Sequence, residues 1–280
     1  MESQLSEGPA PLARALADID WTRPWFSPFA AIGASLAAQV QAGGDARRAL
    51  SAAAASMGLR NAAGHALRFV PQGDLPNGTA YETHIHDTGA VPTRDNLHDL
   101  FNGLVWLHYP LTKAALNRIQ AQAIAAQGVG ARRGAVRDAA TLFDENAVLV
   151  VGADEPLEAA LRGFRWRALF VDARAAWGPR VKVLPFGHAL LEKLVSPYKA
   201  VTAHAWPVAV RAVSPDAAGG NVDDFLARQL ADVPLHSRQF APLPVMGIPG
   251  WCAANADPAF YDDATVFRPG RRQADATAQR

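Results

Sequence analysis

The sequence predicts a mostly helical α+β fold, a single globular domain over residues 19–270 with a small sheet or hairpins and a Pro/Gly-rich wrap at its C-terminal end. Three features point there. Apolar residues recur at spacings of three and four along much of the chain, as at Leu97, Leu100, Phe101, Leu104 and Leu107, which is the period of an amphipathic helix. One run, "AVLVV" at 147–151, is short, β-branched and stopped by Gly152, the pattern of a buried strand. The segment "APLPVMGIPGWCAANADPAFYDDATVFRPG" at 241–270 has too many prolines and glycines for regular structure. Its Trp251, Phe260, Tyr261 and Phe267 nevertheless favour burial, so it should wrap back over the core.

Elements follow in order. Residues 1–18 read as a loosely held N-terminal arm, and 271–280, "RRQADATAQR", as a disordered polar tail. "RRALSAAAASMGLR" at 47–60 is an alanine-rich helix. Within "FVPQGDLPNGTAYETHIHDTGAVPT", the alternating "TAYETHIH" predicts a short strand between loops. A helix follows with Asp95 or Thr93 as N-cap, and Pro110 ends it. The next begins after Leu111 or Thr112 and runs inward through Ala115, Leu116, Ile119, Ala123 and Ile124 to Gly128. "AATLFDENAVLVVG" at 139–152 predicts two strands around an Asp-Glu-Asn turn. Helix signals return in "EPLEAALRGF", "WRALFVDARAAW", "FGHALLEKLV" and "VDDFLARQLA".

Composition narrows the function classes. With 50% hydrophobic residues, 280 residues build a real core. The 27 Lys plus Arg against 26 Asp plus Glu leave a formal charge of +1, short of the basic excess of a nucleic-acid binder. "ARRGAVR" at 131–137 offers a phosphate or nucleic-acid contact, although an exposed basic turn is the commoner explanation. Cys252 is the only cysteine, which rules out an intrachain disulfide and a cysteine-built zinc site and favours a reducing compartment. The start "MESQLSEGPAPLARAL" lacks a secretory signal, and the apolar stretch 26–43 is interrupted by Ser, Pro, Gly and Gln. These features predict a soluble cytoplasmic protein with no membrane segment. Alanine abundance and the preference for Arg over Lys resemble the output of a high-GC bacterial genome.

Several stretches together resemble a bacterial family known as domain of unknown function 3025. They are Tyr81 and Glu82, "GAVPTR" at 89–94, "NLHDLFNGLVW" at 96–106, "PLTKAALN" at 110–117, "RDAATLFDEN" at 137–146, "FGHALLEKLVSPY" at 186–198 and "FYDDATVFRP" at 260–269. The resemblance implies kinship over roughly the last two hundred residues and no particular chemistry.

The chemistry is therefore read from the residues. In "VPTRDNLHDLFN" the early helix carries His98, Asp99 and Asn102, polar residues at the edge of an apolar stripe. There, burial and hydrogen bonding shift pKa values. Lys113 and Asn117 repeat the pattern on the next helix, with Arg94 and Arg137 as further cations for an anion. His188 and Glu192, at i and i+4, can share one metal ion or bind each other. Asp144 and Glu145 end a strand-turn segment suited to proton transfer or cation binding. Glu82, His84 and His86, at period two on the predicted strand, form a second candidate chelating set, although both histidines fall outside the family-like pattern. His65, His108, His204 and His236 read as structural. No phosphate- or dinucleotide-binding glycine loop, nucleophile elbow or activated cysteine is present.

The leading expectation is an enzyme that hydrolyses a small anionic or phosphorylated substrate, with a divalent metal ion as candidate cofactor. His98, Asp99, Asp144 and Glu145 would be catalytic. Arg94, Asn102, Lys113, Asn117 and Arg137 would bind substrate, and His188 and Glu192 would hold metal. The alternative is a non-catalytic binding or scaffold protein whose His, Asp, Asn and Glu groups form a structural hydrogen-bond network.

Overall fold

Asp45, Asn96 and Asp154 each accept a backbone N–H three residues on and so start helices where side-chain oxygens satisfy the first amides. The computed structural model describes residues 11–127, 134–208 and 220–270. In chain order it contains α1 (Pro11–Ala17), α2 (Ala30–Gln41), α3 (Ala46–Ser56), β1 (Arg68–Pro71), α4 (Tyr81–Thr88), β2 (Ala90–Thr93), α5 (Leu97–His108) and α6 (Pro110–Gln127). There follow α7 (Ala135–Asn146), β3 (Ala147–Val151), α8 (Glu155–Arg162), β4 (Lys182–Pro185), α9 (His188–Lys193), β5 (Thr202–Val208), α10 (Gly220–Asp232) and β6 (Ala241–Pro244). The fold is α+β and mostly helical, as expected.

Two small sheets result. β1 and β2 pair in parallel. The other sheet has the order β4-β3-β5-β6, with β3 parallel to β5 and antiparallel to β4, and β5 antiparallel to β6. All five residues of β3 are buried, which is why its sequence is a continuous apolar run without alternation. One apolar cluster extends from Leu12 to Phe267. Within it the Phe143 and Phe186 rings stack at 4.5 Å, and Phe26 stacks on Phe101 at 5.6 Å. The Pro/Gly-rich C-terminal segment does return over this core, with Trp251, Tyr261 and Phe267 buried and Tyr261 donating its hydroxyl to the Gly247 carbonyl at 2.8 Å.

Five local expectations are corrected. Residues 11–17, expected in a loose arm, form α1 and bury Leu12, Ala13 and Leu16. "YETHIH" is helix α4: Tyr81 and Ile85 are four apart as well as alternating, and six residues are too few to separate the two periods. Gly89, at φ +69°, ends this helix in a left-handed cap that favours glycine. On a helix His84 faces away from Glu82 and His86, so the second candidate chelating set does not form. Asp144 and Glu145 belong to the last turn of α7, because Ala139, Ala140 and Phe143 bury a helical face, and the chain passes directly into β3. Pro110 opens α6, where a missing N–H costs nothing. "WRALFVDARAAW" contains a π-helical turn at Ala168–Asp172 and a 3-10 turn at Arg174–Ala176. The predicted tail and residues 131–133 of the predicted basic turn lie outside the described residues. Among those described, no helix is long and apolar enough to cross a membrane.

Asp223 of α10 caps α6 from a distance, accepting the N–H groups of Leu111 at 2.9 Å and Thr112 at 2.8 Å. Asp223→Ala orphans both donors. It should destabilise the protein by about 2 kcal/mol in urea denaturation, and Asp223→Asn, which keeps one acceptor, should lose less.

Candidate functional site

Three helices supply a tight group of side chains: His98 from the first turn of α5, Glu145 from the last turn of α7 and His188 from the start of α9. Their approach depends on Gly187. A Cβ there would sit 2.5 Å from the backbone of Glu145 and Asn146, so only glycine allows α9 to start against the end of α7. Phe186, one residue earlier, is anchored by its stack on Phe143.

The two imidazoles meet nearly edge to face, at 78°, with their Nε2 atoms 3.1 Å apart. Glu145 Oε2 lies 3.5 Å from His188 Nε2 and 3.9 Å from His98 Nε2. A tetrahedral zinc ion with bonds near 2.0–2.1 Å sets its ligands about 3.3 Å apart, so these three separations bracket that spacing. Each ring also has a carboxylate at its other nitrogen. Glu192 Oε2 is 3.0 Å from His98 Nδ1, and Asp144 Oδ2 is 3.8 Å from His188 Nδ1. The Glu192 carboxylate favours a proton on His98 Nδ1 and so turns the His98 Nε2 lone pair toward His188, whereas His188 Nδ1 is buried without a hydrogen-bond partner among the described residues.

Burial, opposed by Asp144 and reinforced by Lys113 and His98, pushes His188 down to about 4, so it is neutral at pH 7. Burial also raises the Glu145 carboxyl above its ordinary range. It would raise Asp144 too, but Lys113 and the imidazoles outweigh it and keep Asp144 below the usual carboxylate value.

A cavity of about 530 Å³ opens onto this group. Its wall includes Arg94, Asp99, Asn102, Arg137 and Asp144 among the expected residues, and Gln72, Tyr81, Glu82, Gln120 and Thr141 besides. Arg94 is engaged by Asp99, which accepts its Nε at 3.1 Å, its Nη2 at 2.9 Å and its backbone N–H at 2.5 Å. Lys113 and Asn117 lie beneath the wall. The Lys113 ammonium donates to Asp144 at 2.5 Å and to Asn102 at 2.8 Å. Asn117 Nδ2 donates to the Glu82 carbonyl at 2.8 Å and to its carboxylate at 2.7 Å. Both therefore hold other residues in place and offer no free group to an anion. Glu192, expected beside His188, instead lies with its Oε2 3.0 Å from His98 Nδ1, while His98 and Glu145 are the groups at ligand spacing from His188.

All of these residues lie between Gln72 and Glu192. The stretch 67–271 matches the profile of a family described as protein of unknown function DUF3025. The chain belongs to that family. No curated protein and no solved structure matches it, so the family supplies kinship and the geometry must supply the chemistry. Within the matched stretch, Tyr81 accepts a hydrogen bond from Asn102 at 3.2 Å, and Glu82 is held by Asn117.

Sequence reasoning assigned Glu82 only to a chelating strand. It missed Gln120, which lies three residues after Asn117; helical spacing from an already suspected residue was the available signal.

Burial and the Asp144 carboxylate push Glu82 up to about 7, above the unfolded-state value near 4.5. Its contribution is thus fully favourable below that lower value and is lost as pH rises through about 7. Glu82→Gln should flatten this dependence, melting above the parent protein at pH 8 and not at pH 5. Gly187→Ala should destabilise the fold by about 1–3 kcal/mol, because backbone must move to admit the methyl group; urea unfolding measures it.

Proposed function

We propose that this protein is a metal-dependent hydrolase acting on a small anionic substrate, with His98, His188 and Glu145 as the metal ligands. The observation that carries the reading is the pair of imidazole Nε2 atoms 3.1 Å apart with the Glu145 carboxylate 3.5 and 3.9 Å from them, three ligand atoms at the spacing one ion requires. Two ring nitrogens this close need a proton or a cation between them. A divalent ion there would supply Lewis acidity and water of lowered pKa.

The chain's own groups have distinct tasks. Glu192 fixes the orientation of the His98 ring. Two histidines and one carboxylate leave a position open toward the cavity, the ligand set of a catalytic rather than a structural site. Glu82, fixed by Asn117 and poised near neutrality, is suited to take a proton from the attacking water and return it to the leaving group as the scissile bond breaks. Asp99, named as catalytic on sequence grounds, is better suited to hold Arg94 at the cavity mouth.

One specific feature favours the second reading, a structural network without metal. His98 as an imidazolium would donate from Nδ1 to Glu192 and from Nε2 to His188, satisfying the same distances. Elemental analysis of untagged protein, before and after incubation with zinc or manganese and desalting, separates the two. The hydrolase reading expects about one ion per chain, lost in folded His98→Ala and Glu145→Gln variants. A protein that remains metal-free after incubation would sink it and leave the network.

A further inference from the structure

Three cations were candidates for binding an anionic substrate, and the structure treats them differently. Arg94 is forked onto Asp99. Lys113 is buried between Asp144 and Asn102, its ammonium 5.4 Å from the Trp106 ring centroid. Arg137 lines the cavity with its Nε buried and without a hydrogen-bond partner among the described residues. No ion pair within 4 Å joins Arg137 to a carboxylate among the described residues, the Glu82 Oε2 being engaged by Asn117. Arg137 is thus a cation of the cavity wall without the counter-ion that Arg94 has in Asp99.

The position of Arg137 relative to the imidazole group follows from α7. Arg137, Thr141 and Glu145 are spaced four apart, forming one row on the helix, and all three line the cavity. Eight residues at 1.5 Å each separate the Cα atoms of Arg137 and Glu145 by about 12 Å along the axis. Both side chains lean toward the N-terminus of the same helix, so this offset is kept. An anion bound at Arg137 therefore lies well away from the Nε2 pair.

We infer that the cavity takes an elongated acid, with its hydrolysable bond at the His98–His188–Glu145 end and a carboxylate or phosphate head on Arg137 at the other. This rests on the metal reading above and narrows its substrate class: the charge recognised is remote from the bond that is cut. A phosphate monoester cleaved at its own phosphorus does not fit this arrangement, because charge and reaction centre coincide.

Hydroxamates, which chelate zinc through two oxygens, test the inference without a known substrate. Zinc-loaded, desalted protein is titrated calorimetrically with a series of straight-chain hydroxamates ending in methyl, carboxylate or phosphonate and differing in length. An acidic terminus should tighten binding by about tenfold or more over the methyl compound at one favoured length, the worth of a charged hydrogen bond. The stronger of the two acids identifies the head group. Arg137→Gln should lose that gain, Arg137→Lys should keep part of it, and acetohydroxamate should bind all three proteins equally; melting curves confirm that each is folded. A gain that survives in Arg137→Gln, that vanishes instead in Arg94→Gln, or that is absent at every length would overturn the inference while leaving the metal site standing. Failure to retain zinc would overturn the hydrolase reading first, and this inference with it.

Discussion

The buried pair of Lys113 and Asp144 is the interaction on which the surrounding arrangement depends. It joins α6 to α7 and, through Asn102, both of them to α5. A charge removed from water to this extent is tolerated only when its partner is present, and deleting one member of such a pair typically costs about 3–5 kcal/mol. The pair also sets the electrostatics nearby. Because Lys113 keeps Asp144 ionised, a negative charge stands behind His188 and within reach of Glu82, whose carboxyl it helps to raise.

Packing and chemistry are joined at one short segment. Phe186 fills the core against Phe143, Gly187 permits backbone contact, and His188 opens α9; each step requires the one before it. Glu145 meets His188 at the C-terminal end of α7, where the helix dipole disfavours a carboxylate. Dipole, burial and the neighbouring Asp144 all act against charge on Glu145, and a cation shared with the imidazoles would relieve all three.

The two ends of the cavity differ for related reasons. Near the imidazoles, cationic side chains are matched by carboxylates: Arg94 by Asp99 and Lys113 by Asp144. Glu145 and Glu192 are the further carboxyl groups there, and a cation is what we propose between them and the imidazoles. Toward the start of α7, Arg137 lines the cavity without an ion pair among the described residues, and there we infer a bound anion. The single helix α7 fixes the distance between them.

How much of this was written locally depended on the type of interaction. The helical period over 97–107, the β-branched run 147–151 and the buried aromatics of the C-terminal wrap were legible because apolar periodicity reflects which face is buried, wherever the partner lies. So were the site's members: His98, Asp144, Glu145 and His188 stood out as polar groups in otherwise apolar surroundings. Short segments were ambiguous. "YETHIH" satisfies both periods, and "LFDEN" resembles a turn until Ala139, Ala140 and Phe143 are seen to bury one face. Roles were not legible at all. Glu192 and Lys113 have the chemistry of a metal ligand and an anion binder, and became an orienting carboxylate and a buried counterion because residues 94 and 31 positions away in sequence reached them first. Side-chain chemistry limits what a residue can do, but its neighbours in space, set by long-range packing, select among those uses.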